Sequence, residues 1–190
     1  RRSSDLINIM LEDFVKENDI PTQVIEKYRD RVSEELVSIW ENYGTGSFCD
    51  GYFRIINPND YIELIKETYF DGENVIPVFV TLFADVITSD NEGYIGLINY
   101  KKHDFCMLSA DFEMFSKFLA ESETFRKKNF DFDFYKKARE KLGELKHNES
   151  YGFAPLLCMG GKKVLKNLDI VDTRVHIELI SQMVGGVDLA

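Results

Sequence analysis

Cysteine, proline and tryptophan are scarce in this sequence of 190 residues, which has three, four and one of them. Cys49, Cys106 and Cys158 stand more than fifty residues apart, with no C-x-x-C pair and an odd count. That excludes a disulfide framework and fits a reducing compartment. The three histidines, His103, His147 and His176, lack the i, i+4 spacing and the neighbouring cysteines of a zinc site, so neither metal nor cofactor is expected. The longest apolar run is broken by Thr81 and Asp85, far short of the ~18 residues of a membrane helix. The chain opens Arg1-Arg2-Ser3-Ser4 without an initiator Met, so a residue or a short leader is expected ahead of it, but no apolar signal core follows. A soluble, cytoplasmic protein is expected.

Basic residues are also in deficit: 23 Lys and Arg against 33 Asp and Glu give a net charge of −10. Counterion release needs clustered cations, so nucleic acid and anionic membranes are poor partners for such a chain. Residues 1 to 110 hold 20 acidic and 10 basic side chains, whereas residues 111 to 190 hold 13 of each. Within the first part, residues 61 to 99 set seven carboxylates against Lys66 alone, a balance of −6. A solvated acidic surface accounts for this, and so does a docking face for a basic protein. For the docking reading the candidate contact residues are Asp71, Glu73, Asp90 and Glu92, which sit in turn-like segments, with Asp85 at the edge of a strand as a fifth.

No catalytic signature is present. Gly44-x-Gly46 meets Cys49 where a dinucleotide fingerprint needs a third glycine, and it leaves a helix for a strand. Gly161-Lys162 is preceded by Leu156 and followed by Lys163, which excludes a phosphate loop. Asp90-Asn91-Glu92-Gly93 lacks the order of a calcium loop and reads as a hairpin turn. There is no G-x-S-x-G elbow. An enzyme would have to draw its groups from separated loops, for instance Asp50, Asp85 and His176.

The hydrophobic pattern predicts an α+β fold: a central antiparallel sheet flanked by helices, with helical segments at both ends. Apolar spacing predicts a helix over 4–18 behind Ser4, a second over 33–43 closed by Gly44, and a third over 59–69. Period-two alternation predicts a single strand over 77–88, returning through the turn at 89–93 into a strand at 94–100, with another near 104–108. Tyr52 to Ile56 reads as a short strand. Asp111 caps one later helix, another begins near Asp133, and the last runs over 173–184, capped by Thr173 and stopped by Gly185-Gly186. Trp40 lies on an inward helix face, and most of the 15 Phe and 9 Tyr are read as core.

Three strings, Trp40-Glu-Asn-Tyr43-Gly44-x-Gly46, Asp50-Gly51-Tyr52-Phe53 and Asn57-Pro58-x-Asp60-Tyr61, resemble the GAD-related domain. Phe79-Val-Thr-Leu-Phe-Ala-Asp85, Leu97-Ile-Asn-Tyr100, Tyr151-Gly-Phe-Ala-Pro155 with Gly160-Gly161, and Val175-His176 are similar to its companion C-terminal domain. The resemblance implies a two-part immunity protein, 1–105 and 106–190, packed as one compact unit. Its characterised relatives neutralise DNA-degrading toxins delivered by type VI secretion systems. It further implies that the chain is not an enzyme and that its partner is a cognate toxin with a basic surface. The alternatives are a small hydrolase-like enzyme or an RNA-associated accessory module.

Overall fold

In a computed structural model, which describes residues 2–188, seven consecutive strands form one antiparallel meander. They are β1 (Val15–Asn18), β2 (Thr45–Phe48), β3 (Phe53–Ile55), β4 (Val75–Thr81), β5 (Val86–Asp90), β6 (Ile95–Asn99) and β7 (Asp104–Ser109). Each pairs with the next in sequence order, which leaves β1 and β7 as the two edges. Helices α1 (Ser3–Met10), α2 (Thr22–Tyr28), α3 (Glu34–Asn42) and α4 (Ile62–Thr68) are interleaved with the first strands. After β7 come α5 (Phe112–Glu121), α6 (Glu123–Phe130) and α7 (Phe132–Leu142), then a two-stranded ribbon, β8 (Glu149–Phe153) with β9 (Leu168–Asp172), and finally α8 (Thr173–Val184). The α+β architecture with helices at both ends is the one the pattern predicts.

Both sheet faces are covered, which is why the strand residues from 75 to 89 are all buried. Ile76, Phe79, Ile87, Ile95 and Leu97 belong to one core with residues of α1, α3, α5 and α7. Val75, Val80, Val86 and Ile98 point the other way, into a smaller core with Ile65 of α4 and Ile177 and Ile180 of α8. Trp40 is 1% exposed in the larger core.

The expected strand over 77–88 is instead two strands folded back at Leu82–Asp85. The Thr81 hydroxyl accepts from the backbone N–H of Phe83 and of Asp85, and Ala84 N–H bonds to Thr81 O at 3.1 Å. Ala84 takes φ +62°, a left-handed conformation unfavourable for a residue with a Cβ. Period-two alternation carries no sign of this reversal, because both arms and the turn are buried. The expected helix over 4–18 also stops at Met10. Asp13 turns back to accept from the N–H groups of Cys49 and Asp50 at 2.9 and 2.6 Å, and residues 15–18 pair with β2 as an exposed edge strand. At α8 the capping side chain is Asp172, not Thr173. Asp172 accepts from Val175 N–H at 3.0 Å, while Thr173 is buried against the Ser150 hydroxyl at 2.6 Å.

The part after β7 is joined to the part before it by rings and hydrogen bonds. Tyr52 stacks on Phe132 with centroids 4.6 Å apart, and Phe53 meets Phe130 edge-on at 4.9 Å. The buried Arg54 donates to the carbonyls of Lys146, His147 and Glu149 at 2.7, 2.8 and 2.5 Å. Tyr151 N–H reaches Leu82 O at 2.7 Å, and Tyr135 donates to Asp50 O at 2.7 Å.

Candidate partner-binding face

Antiparallel register brings distant acidic residues together. Val75 at the start of β4 lies opposite Asp90 at the end of β5, and Ile95 at the start of β6 lies opposite Ser109 at the end of β7. The single helical turn Gly72–Asn74 that enters β4 and the 90–94 turn therefore share one end of the sheet. Asn91 bridges to Asn74 at 3.5 Å, and Arg31 donates to Glu73 O and to the Asn91 side chain at 3.1 and 3.3 Å. Asp71, Glu73, Asp90 and Glu92 all stand at this end.

Their carboxylates are held but not consumed. Asp90 Oδ1 accepts from the N–H groups of Glu92 and Tyr94, both at 2.9 Å, a side-chain turn that fixes the 90–94 loop. Asp71 Oδ1 accepts from Asn74 Nδ2 at 2.6 Å. The second oxygen of each, and the whole carboxylate of Glu92, has no partner among the described residues. Glu73, largely exposed, lies 3.8 Å from the partly exposed Lys66, a weak pair at the surface.

Asp85 is the correction to this set. It is 1% exposed, sits in the β4–β5 turn, and forms an ion pair with Lys101, whose ammonium also reaches Asn99 Oδ1 at 3.2 Å. A side chain so enclosed cannot meet a partner, and it takes no part in the face proposed below. Burial raises its pKa, and Lys101 opposes that shift.

Three apolar side chains that sequence patterning assigned to no site are exposed: Phe70 next to Asp71, Tyr94 in the 90–94 turn, and Met107 on the edge strand β7, at 49, 38 and 51%. Met107 is opposite Gly96 in the β6–β7 register, and Phe105 is two residues away on the same face. The Phe105 ring lies where a Cβ on Gly96 would be. Phe105 stacks on Tyr69 at 5.4 Å, and Tyr69 meets Phe70 edge-on at 5.0 Å. Asp71 and Asp90 both face Tyr69, whose hydroxyl is pushed up to about 12, chiefly by burial and then by these two charges. The signal available in sequence was the pair Tyr69-Phe70, where helical spacing buries only the first.

Two other concave places are of different character. A cleft of about 340 Å³ between the two parts of the chain mixes Asp13, Asp50 and Glu144 with Arg54 and Arg139. A second, of about 420 Å³, is apolar and lined by Phe153, Pro155, Met159, Leu179 and Met183 around His176. Asp50, Asp85 and His176 have separate surroundings: Asp50 pairs with Arg139 at 3.1 Å, Asp85 with Lys101, and His176 lies in the apolar groove. Among the described residues no group of three His, Cys, Asp or Glu is placed to hold a metal, and no helix is long and apolar enough to cross a membrane.

Comparison with known proteins matches residues 4–84 to the GAD-like domain and residues 109–184 to the family "T6SS immunity protein Tdi1, C-terminal". The two matches leave β5, β6 and most of β7 between them, and the expected boundary at 105/106 falls inside β7. No curated protein matches the chain. The crystal structure of Atu4351 from Agrobacterium tumefaciens shares the fold, with a TM-score of 0.74 and 17% identity over 92% of this chain and 87% of that one. This chain joins a GAD-like domain to a Tdi1-type C-terminal domain and is a type VI secretion immunity protein.

Proposed function

We propose that the chain neutralises a DNA-degrading toxin in the cytoplasm, without catalysis of its own, by covering the toxin's basic substrate surface with the acidic end of its sheet. The observation that carries this reading is convergence. Asp71 and Glu73 precede β4, Asp90 ends β5 and Glu92 follows it, and all four stand at one end of the sheet with fixed turns behind them. A nuclease must display Lys and Arg to hold phosphate, so an inhibitor with opposite charge gains association rate, up to about 10⁸ M⁻¹s⁻¹ or more where steering is strong.

Reversal of two exposed charges, Glu73→Lys with Glu92→Lys, tests it against the cognate toxin domain. Stopped-flow association should slow by about tenfold at low salt and lose much of its salt dependence, because rim charges act on the encounter. An association rate and a salt slope equal to those of the parent protein would contradict the proposal.

A further inference from the structure

Exposed rings of this kind are unusual in a chain that buries most of its aromatics. Phe70 and Tyr94 project from the same end of the sheet as Asp71 and Asp90, and Phe70 is backed by the Tyr69–Phe105 stack. That support matters, because a ring held from behind loses little freedom when a partner covers it. Phe70 is fixed further by its backbone N–H, which bonds to Val187 O at 2.9 Å. Tyr94 is fixed by the Asp90 side chain, which accepts from its N–H. The cations bordering the region, Arg31 and Lys66, are engaged with Glu73 O and Asn91 and with Glu63 and Glu73.

We infer that Phe70 and Tyr94, with Met107 beside them, form an aromatic anchor for an arginine-bearing surface of the toxin. A partner guanidinium stacks on a ring and donates to the open oxygen of Asp71 or Asp90. The inference rests on the toxin-binding reading above and adds the chemistry of its centre. Arginine is the side chain that fits both features at once. Its planar, weakly hydrated cation stacks on aromatic faces and donates through a rigid fork, whereas an ammonium does neither as well. A surface that grips DNA carries such residues. The charge complementarity therefore selects a basic protein as the occupant, over an apolar segment or a second copy of this acidic chain.

The test uses the full chain and two probes. In NMR titration, N-acetyl-arginine amide should shift the resonances of Phe70, Tyr94 and their neighbours more than N-acetyl-lysine amide does. Against the toxin domain, Phe70→Ala and Tyr94→Ala should each raise the dissociation rate about tenfold, while Phe70→Tyr and Tyr94→Phe stay within about twofold of the parent. Because both rings are exposed, thermal unfolding of the alanine variants should stay close to that of the parent, which separates lost contact from lost fold. Unchanged dissociation in the alanine variants, with charge reversal at Glu73 and Glu92 still slowing association, would overturn the anchor and leave toxin binding at this face standing. No effect from either set would overturn both.

Discussion

The carboxylate of Asp85 and the ammonium of Lys101 form an ion pair inside the protein, their side chains 1 and 10% exposed. The pair ties the β4–β5 turn to the helical turn Tyr100–Lys102 that follows β6, and Lys101 N–H also reaches Asp85 Oδ1 at 3.4 Å. Removing one partner leaves a buried charge alone. Lys101→Met is expected to destabilise the fold by about 3–5 kcal/mol, and pairing it with Asp85→Leu should recover much of that loss. Denaturant unfolding of the single and double variants measures the difference. A double variant no more stable than Lys101→Met would show that the turn depends on Asp85 by another route.

Trp40 is expected to act through volume. Its indole Nε1 is the single buried side-chain nitrogen or oxygen without a hydrogen-bond partner among the described residues. Trp40→Ala should cost about 3–5 kcal/mol, but Trp40→Phe, which removes the unpaired donor together with part of the volume, only about 1–2 kcal/mol. Thermal melts of both variants check the order.

Arg54 holds the second part of the chain to the first through three carbonyls. Arg54→Met leaves those acceptors without their donor and should cost about 3 kcal/mol. It should also open the 143–149 segment to limited proteolysis. The parent chain should not release two independently folded pieces on cleavage near residue 105, because aromatic contacts such as Tyr52–Phe132 cross that point.

His176 gives a pH dependence with a definite sign. Burial lowers its pKa from the ordinary value near 6.5. The unfolded chain therefore binds a proton more readily than the folded one below about pH 6.5, and stability contributed above that value is lost as the pH falls toward the lowered folded pKa. Between pH 7 and pH 5 the parent protein should lose more stability than His176→Gln does, as read from denaturant midpoints at the two pH values.

Much of the fold was legible from spacing, because α3, α5 and α8 carry amphipathic patterns with clear stops and the 89–93 turn carries turn residues. The β4–β5 reversal was not, since a buried turn such as Leu82–Asp85 has the same apolar composition as its arms. β1 was hidden by Phe14 and Val15, which extend the spacing of α1 although Asp13 has already turned the chain back. In the candidate face, the turn residues Asp71, Glu73, Asp90 and Glu92 could be nominated individually, but only register joins them. Asp85 could be told from them only by its burial. Exposure of Phe70 and Tyr94 depends on where α4 ends and β6 begins, which composition does not reveal.

Hydrogen–deuterium exchange on the complex with the cognate toxin domain tests the central claim most directly. Binding at the acidic end of the sheet predicts slowed exchange over residues 69–75 and 88–95, with little change at 44–51 and 150–161. Protection confined to the 44–51 loop or the 150–161 segment, with the sheet end exchanging as in the free protein, would contradict it.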